Sequence, residues 1–320
     1  ADTVGVFQIE SRAQMSTLRR LLPRCFYDVV IEVAIVRPGP IVGRVAHPLL
    51  KRRAGEEDIV CLDPSVHALM EPVLRRTYGV ILFQEQMLQV AMTLASFTAT
   101  EAEELRRAMG FTKGTERLER VMRKLRAAMR RNGHNDTVIE AVISSAESFA
   151  LYGFPEAHAA SFGLLAYAST WLKANHPAEF YASLLNNQPM GFYSPATLIQ
   201  DARRHGLRTL PPDVTRSGWN CTVVADDEIR LGLRHVRGVR EETARRIFAA
   251  RDERPFDSIE DFIRRTRCGR AERRALAAVG ALNPFAGHRR AALWQVEEDE
   301  EIAEFGLRAA GSTEPPADAP

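Results

Sequence analysis

The chain has 320 residues, 45% hydrophobic and 26% charged, with a formal net charge of +2. That is the balance of a globular protein long enough for two domains. No apolar run reaches the ~18 residues of a membrane span, so no membrane partner is expected. The N-terminus ADTVGVFQIES lacks the charged and apolar regions of a secretory signal. Its lack of an initiator Met suggests processing or a piece of a longer chain. Cys25, Cys61, Cys221 and Cys268 are far apart and match no zinc spacing, which points to free thiols in a reducing compartment. The small net charge hides an asymmetry. From Glu297 to the end eight acids face one base, and the rest of the chain holds 42 bases and 33 acids. A basic body with an acidic end suggests an anionic partner, nucleic acid first, against the plain alternative of a solvated surface.

In chain order, Arg37-Pro38-Gly39-Pro40 marks an early break. Gln84, Glu85 and Gln86 open an apolar helix, where they cap or bridge polar groups; Phe83, Phe97 and Phe111 read as core. Thr98 to Met109 is a predicted helix with two candidate capping boxes, Thr98 with Glu101 and Thr100 with Glu103. It ends at Gly110. Thr115 to Arg131 follows, with Leu118, Val121, Met122, Leu125, Ala128 and Met129 at helical spacing and basic residues on the other faces. Asp136 to Ala150 and Ala157 to Asn175 are two further helices, joined by a rigid turn, Tyr152 to Pro155. Proline-rich breaks fall near Pro189 to Pro195 and at Pro211-Pro212. Strands Cys221 to Ala225 and Ile229 to Leu233 form a predicted hairpin across Asp226-Asp227-Glu228. Short helices return at Glu241 to Arg251, Ser258 to Arg265 and Ala271 to Val279. The fold class is therefore mainly α, with one small β hairpin. Residues 291–320 are expected to form an acidic tail without a fold.

Three groups of residues invite a chemical reading. Arg106 and Arg107 stand one turn before Gly110, with Lys113 beyond it. A pair of guanidinium forks suits a triphosphate, and a charged helix end is the plain alternative. Val236-Arg237-Gly238-Val239 leads into a helix, with Arg234, Arg237, Arg240 and Arg245 around it. Gly238 permits a tight turn whose N–H groups can meet a phosphate. Gly269-Arg270 and Gly280 bracket a second helix, so the segment reads as a helix-hairpin-helix pair that holds a DNA backbone without reading sequence. The run from Leu151 to Phe180 carries Tyr152, Glu156, His158, Trp171, Lys173 and His176 on a smooth apolar helix, as a polar ligand's entrance would. His158 has no partner at metal spacing, and a lone histidine is more often a structural one. No metal site and no strand-borne carboxylate pair is visible, so no complete catalytic centre is expected within these residues. No Walker loop is present.

The motifs DTVGVFQIESRAQM, VAIVRPGP, YGVILFQEQMLQVA, LRRAMG, YGFPEAHAASFGLLAY, WLKANHPAEF and LPPDV, in this order, resemble the bacterial C-family DNA polymerases, the DNA polymerase III α subunits. FPEAHAASF, LLNNQPMGFYSPATLIQDARRHG, Trp219-Asn220-Cys221 and AGHRRAALWQV look more like the error-prone, damage-inducible branch than the replicative one. Glu156 stands where the replicative branch has a basic residue. The resemblance implies a fingers region over residues 1–175 and a connecting segment with a helix-hairpin-helix domain over 176–290. It implies template-directed nucleotidyl transfer and translesion synthesis by the intact enzyme, with Mg²⁺ on palm aspartates outside this chain. The implied partners are primer-template DNA, dNTP, a sliding clamp and mutagenesis accessory proteins, in a bacterial cytoplasm near the nucleoid. Arg106 and Arg107 carry over as triphosphate contacts. Arg37, Lys113, Tyr152, His158 and Lys173 are further nucleotide-site candidates. Arg234, Arg237, Gly238, Arg240 and Arg245 are the DNA-binding candidates. A replicative α subunit and a non-catalytic DNA-binding adaptor are the rival readings.

Overall fold

The computed structural model describes residues 2–36, 42–110 and 116–297, the side chains at 42–47 and 150–152 aside. It is mainly helical and divides into two compact units, residues 1–171 and 172–320. Among the described residues, no helix is long and apolar enough to cross a membrane. The four cysteines are free thiols, with Cys25 exposed and the other three buried.

The first unit begins with α1 (Arg12–Leu21), α2 (Phe26–Ile35) and α3 (Val42–Ala54). Ser11 and Gln14 cap α1 reciprocally. Asp28 accepts the N–H groups of Arg24 and Cys25 at the start of α2, at 2.7 and 3.2 Å. The same carboxylate takes both arms of Arg53 from α3 at 2.8 Å. Arg53 also donates to the Leu21 and Leu22 carbonyls and the Tyr78 hydroxyl, so one guanidinium joins all three helices. Burial pushes the Asp28 carboxyl up, but the bonds from Arg24 and Arg53 outweigh it and hold it below the usual range.

Next come α4 (His67–Leu74), α5 (Gln84–Ala95), α6 (Ala99–Met109), α7 (Glu116–Arg131), α8 (Asp136–Tyr152) and α9 (Glu156–Asn175). Helices α4 to α8 enclose one apolar core, which includes Met70, Met87, Phe97, Leu105, Leu125 and Ile139. Phe83 belongs to a second core with Leu21, Ile31, Leu49 and Ala166. The six apolar positions predicted on α7 are all buried. Thr98 and Glu101 form the expected capping box, whereas Thr100 lies inside the helix. Gln86 bridges rather than merely caps. Its oxygen accepts the N–H groups of Leu82 and Phe83, and its amide donates to the Val73 carbonyl and Thr77.

The predicted rigid turn starts one residue later than expected, because Tyr152 ends α8. Gly153 is dictated by close approach: a Cβ there would lie 2.3 Å from Gln84 Nε2 and 2.8 Å from the Phe149 carbonyl. Phe111 lies outside the described residues.

The second unit takes up the last residues of α9, then α10 (Pro177–Asn186) and α11 (Pro195–Arg204). A small sheet follows in the order β1 (Arg208–Leu210), β3 (Glu228–Arg230), β2 (Thr222–Ala225). The predicted hairpin is present but shorter, since Leu233 already starts a 3₁₀ turn. β1 pairs parallel to β3. At three residues it is too short to show alternation in sequence. Helices α12 (Glu241–Glu253), α13 (Ile259–Thr266), α14 (Arg270–Ala278) and α15 (Asn283–Ala286) close a third core around Leu233, Ile247, Phe262 and Leu276. The tail expected from residue 291 is not what residues 291–297 form. Residues 289–297 form a further helix, α16, which buries Ala292 and Val296 in that core. Residues 298–320 lie outside the described residues.

Candidate nucleotide and DNA-binding sites

In the first unit, Arg106 and Arg107 occupy the last turn of α6. The helix turns Ala102, Leu105, Ala108 and Met109 inward, so both arginines leave from the solvent side. They converge on Glu103. Arg106 grips it with Nε to Oε2 at 2.7 Å and Nη2 to Oε1 at 2.8 Å, and Arg107 adds Nε to Oε1 at 2.9 Å. The bonds from Arg106, then Arg107, hold the Glu103 carboxyl down at about 2. The guanidinium forks are thus already aligned on an anion, and that anion is an exposed side chain. Such ion pairs are weak in water and exchange readily. Sequence reasoning gave Glu103 to a cap and missed this role. The overlooked signal was an acid three and four residues before a pair of bases on one helix.

Arg37 and Lys113 lie outside the described residues, as does the Tyr152 side chain. His158 is exposed on the first turn of α9. Its ring lies 5.1 Å from Phe154 and 4.3 Å from Phe162, and Phe162 stacks on Phe7 at 5.4 Å. The histidine is thus one rung of an aromatic ladder along the helix. Further along, the same helix exposes Leu164, Leu165, Tyr167 and Trp171. The surface past His158 is apolar, in contrast to the polar entrance expected.

Glu156 has a defined place. Its N–H donates to Glu85 Oε2 at 2.8 Å, and its carboxylate accepts the Tyr27 hydroxyl at 2.6 Å. The Arg76 guanidinium lies 3.6 Å over the Tyr27 ring. Burial, then the bond to Glu156, pushes the tyrosine well above its ordinary range. The carboxylate thus ties α9 to α2, while the backbone N–H of the same residue ties it to α5.

Lys173 belongs to the second unit and corrects an expectation. Its ammonium is buried 2.9 Å from Asp201 Oδ2, which also accepts the Tyr181 hydroxyl at 2.6 Å. Enclosed on a carboxylate, it is not presented to a nucleotide and serves to join α9, α10 and α11.

The hairpin turns are built as the sequence suggested. Gly238 has φ +95°, and a Cβ there would meet nothing within 4 Å, so backbone conformation alone calls for glycine. The electrostatics around it are thinner than the arginine count implies. Arg240 is held by the buried Glu272 at 3.2 Å, and Arg245 by Glu241 at 2.8 Å. Glu272 also accepts the backbone N–H groups of Arg240 and Gly269, which links the starts of α12 and α14. Burial pushes its carboxyl up, but these bonds outweigh it and hold it at about 2. The N–H groups of Val239 and Arg240 are therefore already used and do not wait for a phosphate.

Asp261, also buried, accepts from Arg254, Arg264 and Arg265. Arg234 bonds to the Asn186 and Gln188 carbonyls and to Asn220 Oδ1. The exposed arginines without an acid partner among the described residues include Arg237 in the first turn and Arg267 in the second. Arg267 escaped the sequence reading. Its φ of +50° is what turns α13 into α14.

Comparison gives the helical first unit and the two linked helical hairpins a family. The family model described as bacterial DNA polymerase III alpha subunit finger domain matches residues 1–133, and that of a helix-hairpin-helix motif matches residues 206–292. The chain belongs to the bacterial DNA polymerase III α-subunit family. It is 52% identical over 295 residues to a protein of Dechloromonas aromatica named error-prone DNA polymerase, covering 92% of this chain and 28% of that protein. Proteins of the same name from Bordetella bronchiseptica and Pseudomonas aeruginosa are each 51% identical, over 92% and 94% of this chain and 28% and 29% of theirs. The chain thus spans less than a third of the length of these relatives.

Proposed function

We propose that this chain is the nucleotide- and DNA-handling part of a template-directed DNA polymerase of the error-prone kind. The observation that carries the reading is Arg106 and Arg107 converging on one exposed carboxylate at a helix end. An incoming triphosphate offers the same forks more negative charge than Glu103 does and replaces it, so its oxygens are neutralised and oriented as phosphoryl charge shifts. His158, on its aromatic ladder, is a secondary candidate beside the nucleotide. Arg237 and Arg267, at the two hairpin turns, hold duplex DNA through phosphates, independent of sequence. Identities near 50% to proteins named error-prone DNA polymerase favour that branch over the replicative one, and synthesis past damaged template as its role.

The buried carboxylates among the described residues do not fit a two-Mg²⁺ centre. Asp28, Asp201, Asp261 and Glu272 are each bound to cationic side chains, and Glu32 stands alone. The metal-holding carboxylates of such a polymerase would lie outside these 320 residues.

The test is primer extension. In the longer polymerase, Arg106→Ala or Arg107→Ala lowers kcat/KM for dNTP about tenfold to a hundredfold, with duplex affinity retained. The 320-residue chain binds DNA but extends no primer. Unchanged kcat/KM in both variants, or extension by the isolated chain, overturns this reading.

A further inference from the structure

The loop between α10 and α11 ends in a bare aromatic. Phe192 is 79% exposed, more than any other large apolar side chain among the described residues. The loop behind it is fastened at several points. Arg234 donates to the Asn186 and Gln188 carbonyls, Asn186 exchanges two hydrogen bonds with the Cys221 backbone, and Gln188 donates to the Tyr193 carbonyl at 3.5 Å. Arg234 lies only three residues before Arg237 of the first hairpin turn, so the same guanidinium fastens the aromatic loop to the approach of that hairpin. These acceptors and Asn220 Oδ1 are neutral, and no acid pairs with Arg234 among the described residues, so its charge stays uncancelled. An outward flat ring on a loop fastened by an arginine without an acid partner is a combination that can stack a base while the charge holds a nearby phosphate.

We propose that Phe192 is a stacking platform for an unpaired nucleobase of the DNA held by the first hairpin. The proposal rests on the DNA-binding reading above. Stacking needs only a π-face, so the contact is indifferent to base identity. It adds nothing for a fully paired end, whose bases stack on each other.

The test uses the 320-residue chain with two probes, a blunt duplex and the same duplex carrying a short single-stranded overhang with 2-aminopurine as its first unpaired base. The parent chain favours the overhang, and binding quenches the 2-aminopurine. Phe192→Ala weakens overhang binding about tenfold and abolishes the quench, with blunt-duplex affinity and the salt slope unchanged. Phe192→Trp retains both. Equal overhang affinity in the parent and Phe192→Ala overturns the proposal. So does an equal loss on both probes, which would make Phe192 a support for the loop. If the parent binds neither probe, the DNA-binding reading itself has failed, and this proposal with it.

Discussion

The arginine pair on α6 and the arginines clustered on acids near the hairpins are held differently. In the first unit, the pair on α6 shares one carboxylate that is itself in water. In the second, four arginines near the hairpins, Arg240, Arg254, Arg264 and Arg265, rest on acids that are buried, Glu272 and Asp261. An exposed acid is a weak tether that leaves its arginines free for a better anion. A buried, many-bonded acid is part of the framework, and its arginines are committed to it. The number of arginines around a motif therefore says little about binding; the burial of the acids that answer them says more. By that measure the hairpins offer DNA the arginines of their turns, Arg237 and Arg267, more than Arg240, while Arg245 on the exposed Glu241 is only weakly tethered.

The severest test of this contrast concerns a buried acid with no arginine at all. Glu32 on α2 is fully buried, neither oxygen has a hydrogen-bond partner, and burial pushes its carboxyl up to about 8. The folded chain keeps the proton up to about pH 8, whereas the unfolded chain releases it near its ordinary value of 4.5. Stability is therefore full below that value and falls as pH rises through this window, by at most about 5 kcal/mol. Glu32→Gln should flatten the dependence, measured as urea midpoints from about pH 5 to about pH 9. Parallel pH profiles in the two proteins would rule the account out.

A smaller effect separates framework acid from tether. Glu272→Ala strips two backbone N–H groups and one guanidinium of their acceptor, and should cost the second unit about 3 kcal/mol. Glu103→Ala should leave the denaturation midpoint where it was. Comparable losses in the two variants would erase that distinction. The mildest test reads DNA affinity against salt. Arg237→Gln and Arg267→Gln should each reduce the salt slope by about 1, and Arg240→Gln should barely change it. A full unit of slope lost with Arg240→Gln would show that Glu272 does not hold that arginine back from DNA.

Much of the architecture was readable one helix at a time. The α7 stripe, the Thr98 box on α6 and the glycine of the first hairpin all depend on neighbours within four residues, and all appear as expected. What escaped was short or distant. β1 has three residues and no pattern of its own; its place comes from pairing with β3 some twenty residues later. Residues 291–297 read as the start of an acidic tail, yet Ala292 and Val296 fill a core assembled mostly from residues far upstream.

The sites divide along the same line. Local spacing alone picked out the Arg106-Arg107 pair and the Gly238 turn, because a helix end and a left-handed φ are local demands. Tertiary structure decided which charges remain available. It enclosed Lys173 on Asp201, twenty-eight residues on, and bound Arg240 to Glu272, thirty-two residues on. It also left Arg237, Arg267 and Phe192 facing solvent. A charge is cancelled by whatever lies within a few ångströms, and only the folded chain determines what that is.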